Sequence, residues 1–281
     1  MRLAPGFIVL GLAAAAVGSG CAPANFTAPE RYERGLVVVM SGAGDMMGEV
    51  NSIRDGLDAG GVKHALETFR WSHGEVFTDQ TGIERNRRMA ERLARRVEAY
   101  EQQYPGRPVH LIGVSAGTGI ATWTLEALAP GVKVTGAVLI SSSLQARYDL
   151  SGALAHVERN LYSFFSPMDV ILSAGVTLTG TVDRGGNVAG GLFGFGPPEG
   201  ASESTQRLYK DKLAQIGWGP GDVLLGHVGD HLGATRSGFV RERIAPLLLG
   251  TKPDDKAAKN AKATRAAKAR ALPKRTGEDY R

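Results

Sequence analysis

Residues 109–119 read VHLIGVSAGTG and place a serine between small residues in the pattern G-x-S-x-G, as Gly113-Val114-Ser115-Ala116-Gly117. A serine hydroxyl becomes a useful nucleophile only with a base to take its proton, a third group to orient that base, and donors for the oxyanion that attack creates. The chain has six histidines, at 64, 73, 110, 156, 227 and 231, and His227 and His231 share the stretch GHVGDHLGATRSGFV. Carboxylates downstream of the serine include Asp169 in LYSFFSPMDVIL, Asp183 in TVDRGG, and Asp230 beside His231. In a chain with 38 glycines the five-residue pattern alone carries little weight. Its meaning depends on the elements around it.

Those elements alternate. LVVVM (36–40) is a continuous apolar run, the mark of a strand buried on both faces. Met89, Leu93, Val97 and Tyr100 recur at helical spacing within residues 82–104, and Pro105-Gly106 closes that helix. VHLIGV (109–114) is the next strand and GIATWTLEALA (119–129) the helix after it. VTGAVLIS (134–141) and the weaker LYSFF (161–165) are further strands, and DVLL (222–225) reads as a strand that His227 ends. SGFVRERIAPLLL (237–249) is a last amphipathic helix. The alternation predicts an α/β fold: a doubly wound, mostly parallel sheet of about six strands with helices on both faces. Right-handed crossovers bring the loops that follow the strands to one edge. Ser115 then sits on a strand-to-helix corner, and the free N–H groups of the next helix point at whatever its hydroxyl bonds. His110 lies inside the preceding strand and reads as structural.

This strand–serine–helix corner resembles the nucleophile elbow of the α/β-hydrolase family, the esterases and lipases among them. The resemblance covers residues 33–250 as a topology and implies a compact version without a large cap. The family's triad runs serine, acid, histidine along the chain, which implies Ser115 as nucleophile, Asp169 as orienter and His231 as base. His231 is preferred over His227 because a turn with small residues precedes the last helix there. Asp183 is the rival acid, and SPMD also reads as a helix start that Asp169 caps. The oxyanion donors implied are the backbone N–H groups of Ala116, directly after the nucleophile, and Ala43, in the loop MSGAGDM (40–46). Ser41-Gly42 stands there where the family commonly has His-Gly. The glycine-rich stretch 180–200, with Phe193 and Phe195, reads either as a mobile flap over an acyl pocket or as a disordered insertion. The function implied is hydrolysis of a carboxylic ester, small or lipid-like, through an acyl-enzyme, with thioesters also open. The competing class is a non-catalytic envelope lipoprotein of hydrolase fold that binds a cell-envelope component.

The two ends carry a different message. Residues 1–20 have Arg2, an apolar run from Phe7 to Val17 and a small-residue site, as in a signal peptide. Cys21, the single cysteine, stands where a lipoprotein signal peptide places its acylated residue. The expectation is a lipid-anchored protein of the bacterial cell envelope, with plain secretion as the alternative, and with residues 21–32 as a linker. Residues 251–281 carry ten Lys/Arg and four Asp/Glu, a net +6 against +5 for the whole chain. The remainder is therefore about −1, so the basic balance belongs to this low-complexity tail, read as disordered with weak contact to anionic surfaces. A near-neutral core makes nucleic acid an unexpected partner. No H-E-x-x-H, paired cysteines, EF-hand loop or phosphate-cradling glycine motif appears, so neither metal nor cofactor is expected.

Overall fold

The computed structural model describes residues 24–45 and 47–251. The signal segment, Cys21 and residues 252–281 therefore lie outside the described residues. Along the chain run α1 (Pro29–Tyr32), β1 (Leu36–Met40), α2 (Met47–Ala59), β2 (Ala65–Thr68), α3 (Val76–Thr81), α4 (Ile83–Gln103), β3 (Val109–Val114) and α5 (Gly117–Glu126). Then come β4 (Gly136–Ile140), α6 (Ser151–Ala155), β5 (Leu161–Phe165), α7 (Val170–Thr179), α8 (Gly190–Phe193), α9 (Glu203–Lys212) and β6 (Leu213–Gly217). A helical run closes the domain: α10 (Ser237–Phe239), a π turn (Val240–Ile244) and α11 (Ala245–Leu248).

All six strands are parallel, in the order β2-β1-β3-β4-β5-β6. This is the compact, doubly wound parallel α/β sheet of six strands that the alternating elements predict. Alternation along the central strands explains both layers. Leu36, Val38 and Met40 of β1 pack with Leu111 of β3 against α4 and α5, while Val37 and Val39 pack with Ile112 and Val114 against α2 and the closing helical run. The central strands β1, β3 and β4 are thus buried at every position.

Two expectations change, and two edge strands are added. The strands β2 and β6 sit at the sheet's edges and are only partly buried, so ALET and LAQIG lack the apolar run of the centre. DVLL is no strand: Pro220–Leu225 forms a 3-10 helix, which the Pro-Gly start favours. Residues 26–32 belong to the domain rather than to a linker, because Phe26 packs on the core and its carbonyl accepts the Leu66 N–H at 2.9 Å. Arg31 also donates to Asp58 at 2.6 Å.

The chain leaves β1 toward one side of the sheet to make β2 and returns to make β3 on the other. Strand order reverses there, and a crevice opens above the carboxyl ends of β1 and β3. The loop after β1 and the corner after β3 meet in it, tightly. A Cβ on Gly117 would lie 2.3 Å from the Ser41 carbonyl oxygen and 2.8 Å from that of Met40, and one on Gly113 would lie 2.5 Å from the Gly117 carbonyl. Both contacts are with backbone, which cannot swing aside. Gly117→Ala is therefore expected to destabilise the fold by about 3 kcal/mol through overpacking, read as a lower denaturation midpoint. An unchanged midpoint would show that the start of α5 can retreat.

Candidate active site

Ser115 has φ of 51°, a left-handed conformation that a non-glycine residue adopts only when its surroundings impose it. Here β4 and α5 impose it: the Ser115 N–H donates to the Ile140 carbonyl at 2.9 Å, and its own carbonyl accepts the Thr118 N–H at 3.1 Å and the Thr118 hydroxyl at 2.6 Å. The backbone is fixed on both sides, and Ser115 lines a cavity of about 210 Å³ at the mouth of the crevice.

His231 lines the same cavity. Its Nδ1 lies 2.7 Å from Asp169 Oδ2, and its side chain is 11% exposed while that of Asp169 is fully buried. An ionised carboxylate only accepts, so this contact puts the ring proton on Nδ1 and leaves the Nε2 lone pair free. The loop that carries the histidine is held from two sides. The Ser141 hydroxyl donates to the His231 carbonyl at 2.9 Å, and the Ser166 hydroxyl to the Gly229 carbonyl at 2.8 Å. Asp169 has a second bond: its Oδ1 accepts the Leu172 N–H at 2.8 Å and caps α7. One oxygen of Asp169 thus caps α7 while the other faces the His231 ring.

The rival residues are engaged elsewhere. His227 is buried edge-on against Phe239, with ring centroids 5.1 Å apart, and burial lowers its pKa. Asp230 pairs with Arg236 at 3.0 Å. Asp183 accepts the Gln145 N–H at 3.0 Å. His110 is buried within β3, stacked on His64.

Ala43 lines the cavity, and Ala116 stands at the start of α5. Among the described residues neither of their N–H groups has a hydrogen-bond acceptor. The two flanking amides of the β1 loop are occupied: Gly42 N–H donates to Glu49 Oε1 at 2.6 Å and Gly44 N–H to Asp79 Oδ2 at 2.9 Å. Glu49, almost fully buried, lines the cavity, and burial raises the pKa of its carboxyl. The sequence reading missed Glu49, Asp79 and Gln80. An acid in the first turn of a helix, as Glu49 is in α2 and Asp79 in α3, reads as a partner of the helix dipole.

The cavity's apolar wall is also not the expected one. Val76, Ile171, Leu172, Gly175 and Val176 build it, from α3 and α7. The stretch 180–200 is neither a flap over this cavity nor a loose insertion. Gly190 N–H donates to the Leu144 carbonyl and Ala146 N–H to that of Val188, each at 2.8 Å, and Phe195 is buried in the core, while Phe193 is exposed and away from the cavity lining. Its glycines permit close packing instead: a Cβ on Gly191 would meet Ser142 N at 2.4 Å. Among the described residues no group of three or more His, Cys, Asp or Glu could hold a metal, and no helix is long and apolar enough to cross a membrane.

No protein-family model and no curated protein matches the chain. Solved structures do resemble it. A cutinase-like protein from Cryptococcus sp. is similar at 14% identity, over 78% of this chain and 96% of that one, with a TM-score of 0.40. Lipase B of Aspergillus fumigatus is similar at 10% identity, over 83% of this chain and 56% of that one, with a TM-score of 0.47. A poly(3-hydroxybutyrate) depolymerase from Bordetella parapertussis is similar at 14% identity, over 80% and 84%, with a TM-score of 0.41. Likenesses this distant leave the reading of the site to its own geometry.

Proposed function

We propose that the chain is a serine hydrolase of carboxylic esters that works through an acyl-enzyme. The observation that carries this reading is the buried Asp169–His231 bond, ending on a histidine that shares one small cavity with a serine held at positive φ. In the reaction, Ser115 Oγ attacks the acyl carbon and passes its proton to His231 Nε2, while Asp169 holds Nδ1–H and stabilises the imidazolium. The N–H groups of Ala43 and Ala116 bind the oxyanion. The tetrahedral adduct collapses as the C–O bond to the alcohol breaks, and His231 returns its proton to that leaving oxygen. Water then attacks the Ser115 ester with His231 again as base, releasing the acid and regenerating the serine.

The walls favour an apolar acyl group, and the rim favours esters that gather in an oily phase. The helix α7, VILSAGVTLT, has no charged residue. Val170, Ile171 and Leu178 are 75%, 65% and 85% exposed, and Phe77, next to the cavity-lining Val76 of α3, is exposed as well. The lipoprotein-type signal pattern of residues 1–21 supports a location on the cell envelope, with Cys21 as the anchor. Leu178 lies outside the cavity lining, so Leu178→Asp is expected to leave turnover of a soluble acetate ester unchanged. Burying one leucine contributes about 1.5–3 kcal/mol, so the same variant should lose about tenfold or more on an emulsified long-chain ester. Equal losses on both substrates would show that Leu178 supports the fold rather than the contact.

Labelling by a fluorophosphonate tests the function itself. The wild type should label and Ser115→Ala should not. A folded wild type that neither labels nor hydrolyses p-nitrophenyl esters of any acyl length would overturn the assignment in favour of a binding protein.

A further inference from the structure

The loop after β1 contains three successive amides, and only the middle one is free. Gly42 N–H is taken by Glu49 and Gly44 N–H by Asp79, at 2.6 and 2.9 Å, while Ala43 N–H has no acceptor among the described residues. Both carboxylates are buried, and they come from different helices, α2 and α3. The loop lies directly against the serine, since a Cβ on Gly42 would sit 3.3 Å from Ser115 Cβ and 3.5 Å from Glu49 Oε1.

We propose that Glu49 and Asp79 clamp this loop from both sides so that the Ala43 N–H stays aimed at the oxyanion, which makes Glu49 a positioning residue for the hydrolytic step. The inference rests on the serine-hydrolase reading above. A free main-chain donor in a flexible loop would reorient during the reaction and lose most of its value, because such donors act by being preorganised. The chain prevents reorientation by fixing the two neighbouring peptide planes. Asp79 is itself over-determined: its oxygens also accept from the Ser72 hydroxyl, from His73 N–H at 3.1 Å and from Arg85 at 3.3 Å. Each of these partners turns an N–H or O–H toward it. Glu49 has a lighter task, one acceptor oxygen for one amide. Burial raises its pKa, which favours the uncharged form beside a site where negative charge develops. A glutamine can perform that task.

Glu49, with its single task, supplies the test. Glu49→Ala should lower kcat on a short p-nitrophenyl ester about 100-fold, the scale of losing one oxyanion donor, with KM changed less than about threefold. Glu49→Gln, which keeps the acceptor, should stay within about threefold of wild type in both constants. A boronic acid that forms a tetrahedral adduct on Ser115 should bind Glu49→Ala more weakly by the same factor as kcat/KM falls. Denaturation midpoints of both variants establish that they are folded. A loss in KM alone, a glutamine as poor as alanine, or full activity in Glu49→Ala would overturn the clamp while leaving the hydrolase reading intact. A wild type that neither labels nor turns over would remove the hydrolase reading and the clamp with it.

Discussion

Ser115→Ala is expected to lower kcat/KM on a p-nitrophenyl ester by at least about 10⁴-fold, and His231→Ala by a similar factor, because both act in one proton transfer. The diagnostic measurement is the double variant. Groups that work as a unit are not additive, so Ser115→Ala with His231→Ala should be no slower than either alone. Residual activity above the uncatalysed rate would come from the Ala43 and Ala116 donors and from binding. Losses that multiply in the double variant would mean that the two side chains act in independent steps. Asp169→Asn should also fall by about 10⁴-fold, since an amide beside Nδ1 stabilises the wrong tautomer.

The second large effect concerns stability and lies far from the site. His110 is fully buried in β3, its Nε2 has no hydrogen-bond partner among the described residues, and its pKa is driven down to about 3 by burial, with His64 and Arg159 adding to the shift. Its ring stacks on that of His64, 5.9 Å away and nearly parallel, and burial lowers the pKa of His64 as well. An unfolded histidine takes up its proton near pH 6.5. Below that pH the unfolded chain binds a proton that the folded chain refuses, so stability falls as pH falls. The loss grows by about 1.4 kcal/mol per pH unit for His110 alone and stops only near the folded value of about 3. At two units below 6.5 the cost is about 3 kcal/mol. His110→Leu should therefore match the wild type near pH 8 and exceed it by about that amount near pH 4.5 in urea denaturation. A difference between the two proteins that does not change with pH would show that His110 is not the group responsible.

Much of this molecule is legible in its sequence, and the gaps have physical causes. The strands around Val38, Leu111 and Val138 announce themselves because a strand covered on both faces is apolar at nearly every position, His110 being the exception. Edge strands such as Leu213–Gly217, partly exposed, have no such signature. The corner at Ser115 is readable because a tight turn demands small residues at fixed offsets, and the choice of Asp169 and His231, which lie 2.7 Å apart, comes from the order the resemblance implies together with the turn and helix around each. Glu49 and Asp79 are silent for the opposite reason: nothing local separates a buried first-turn acid from a solvated one, since the difference is made by a loop 7 residues away in one case and 35 in the other. The pocket wall was sought in the stretch 180–200 because glycine suggests mobility. Here those glycines let backbone pack on backbone, and the wall is α7, whose even apolarity gives no face to read.

Asp169 spends one oxygen on the imidazole and the other on the first turn of the helix that walls the cavity. In the proposed enzyme the group that orients His231 and the wall that meets the acyl chain would therefore be one mechanical piece, joined through a single carboxylate. An acyl group large enough to push α7 outward would pull on the strut that aims His231. Discrimination by size would then register in the speed of proton transfer rather than in the grip on the substrate. Widening this pocket by substitutions along α7 meets the same coupling from the other side, so changes of substrate range in this scaffold must preserve the turn at Leu172 before they enlarge anything beyond it.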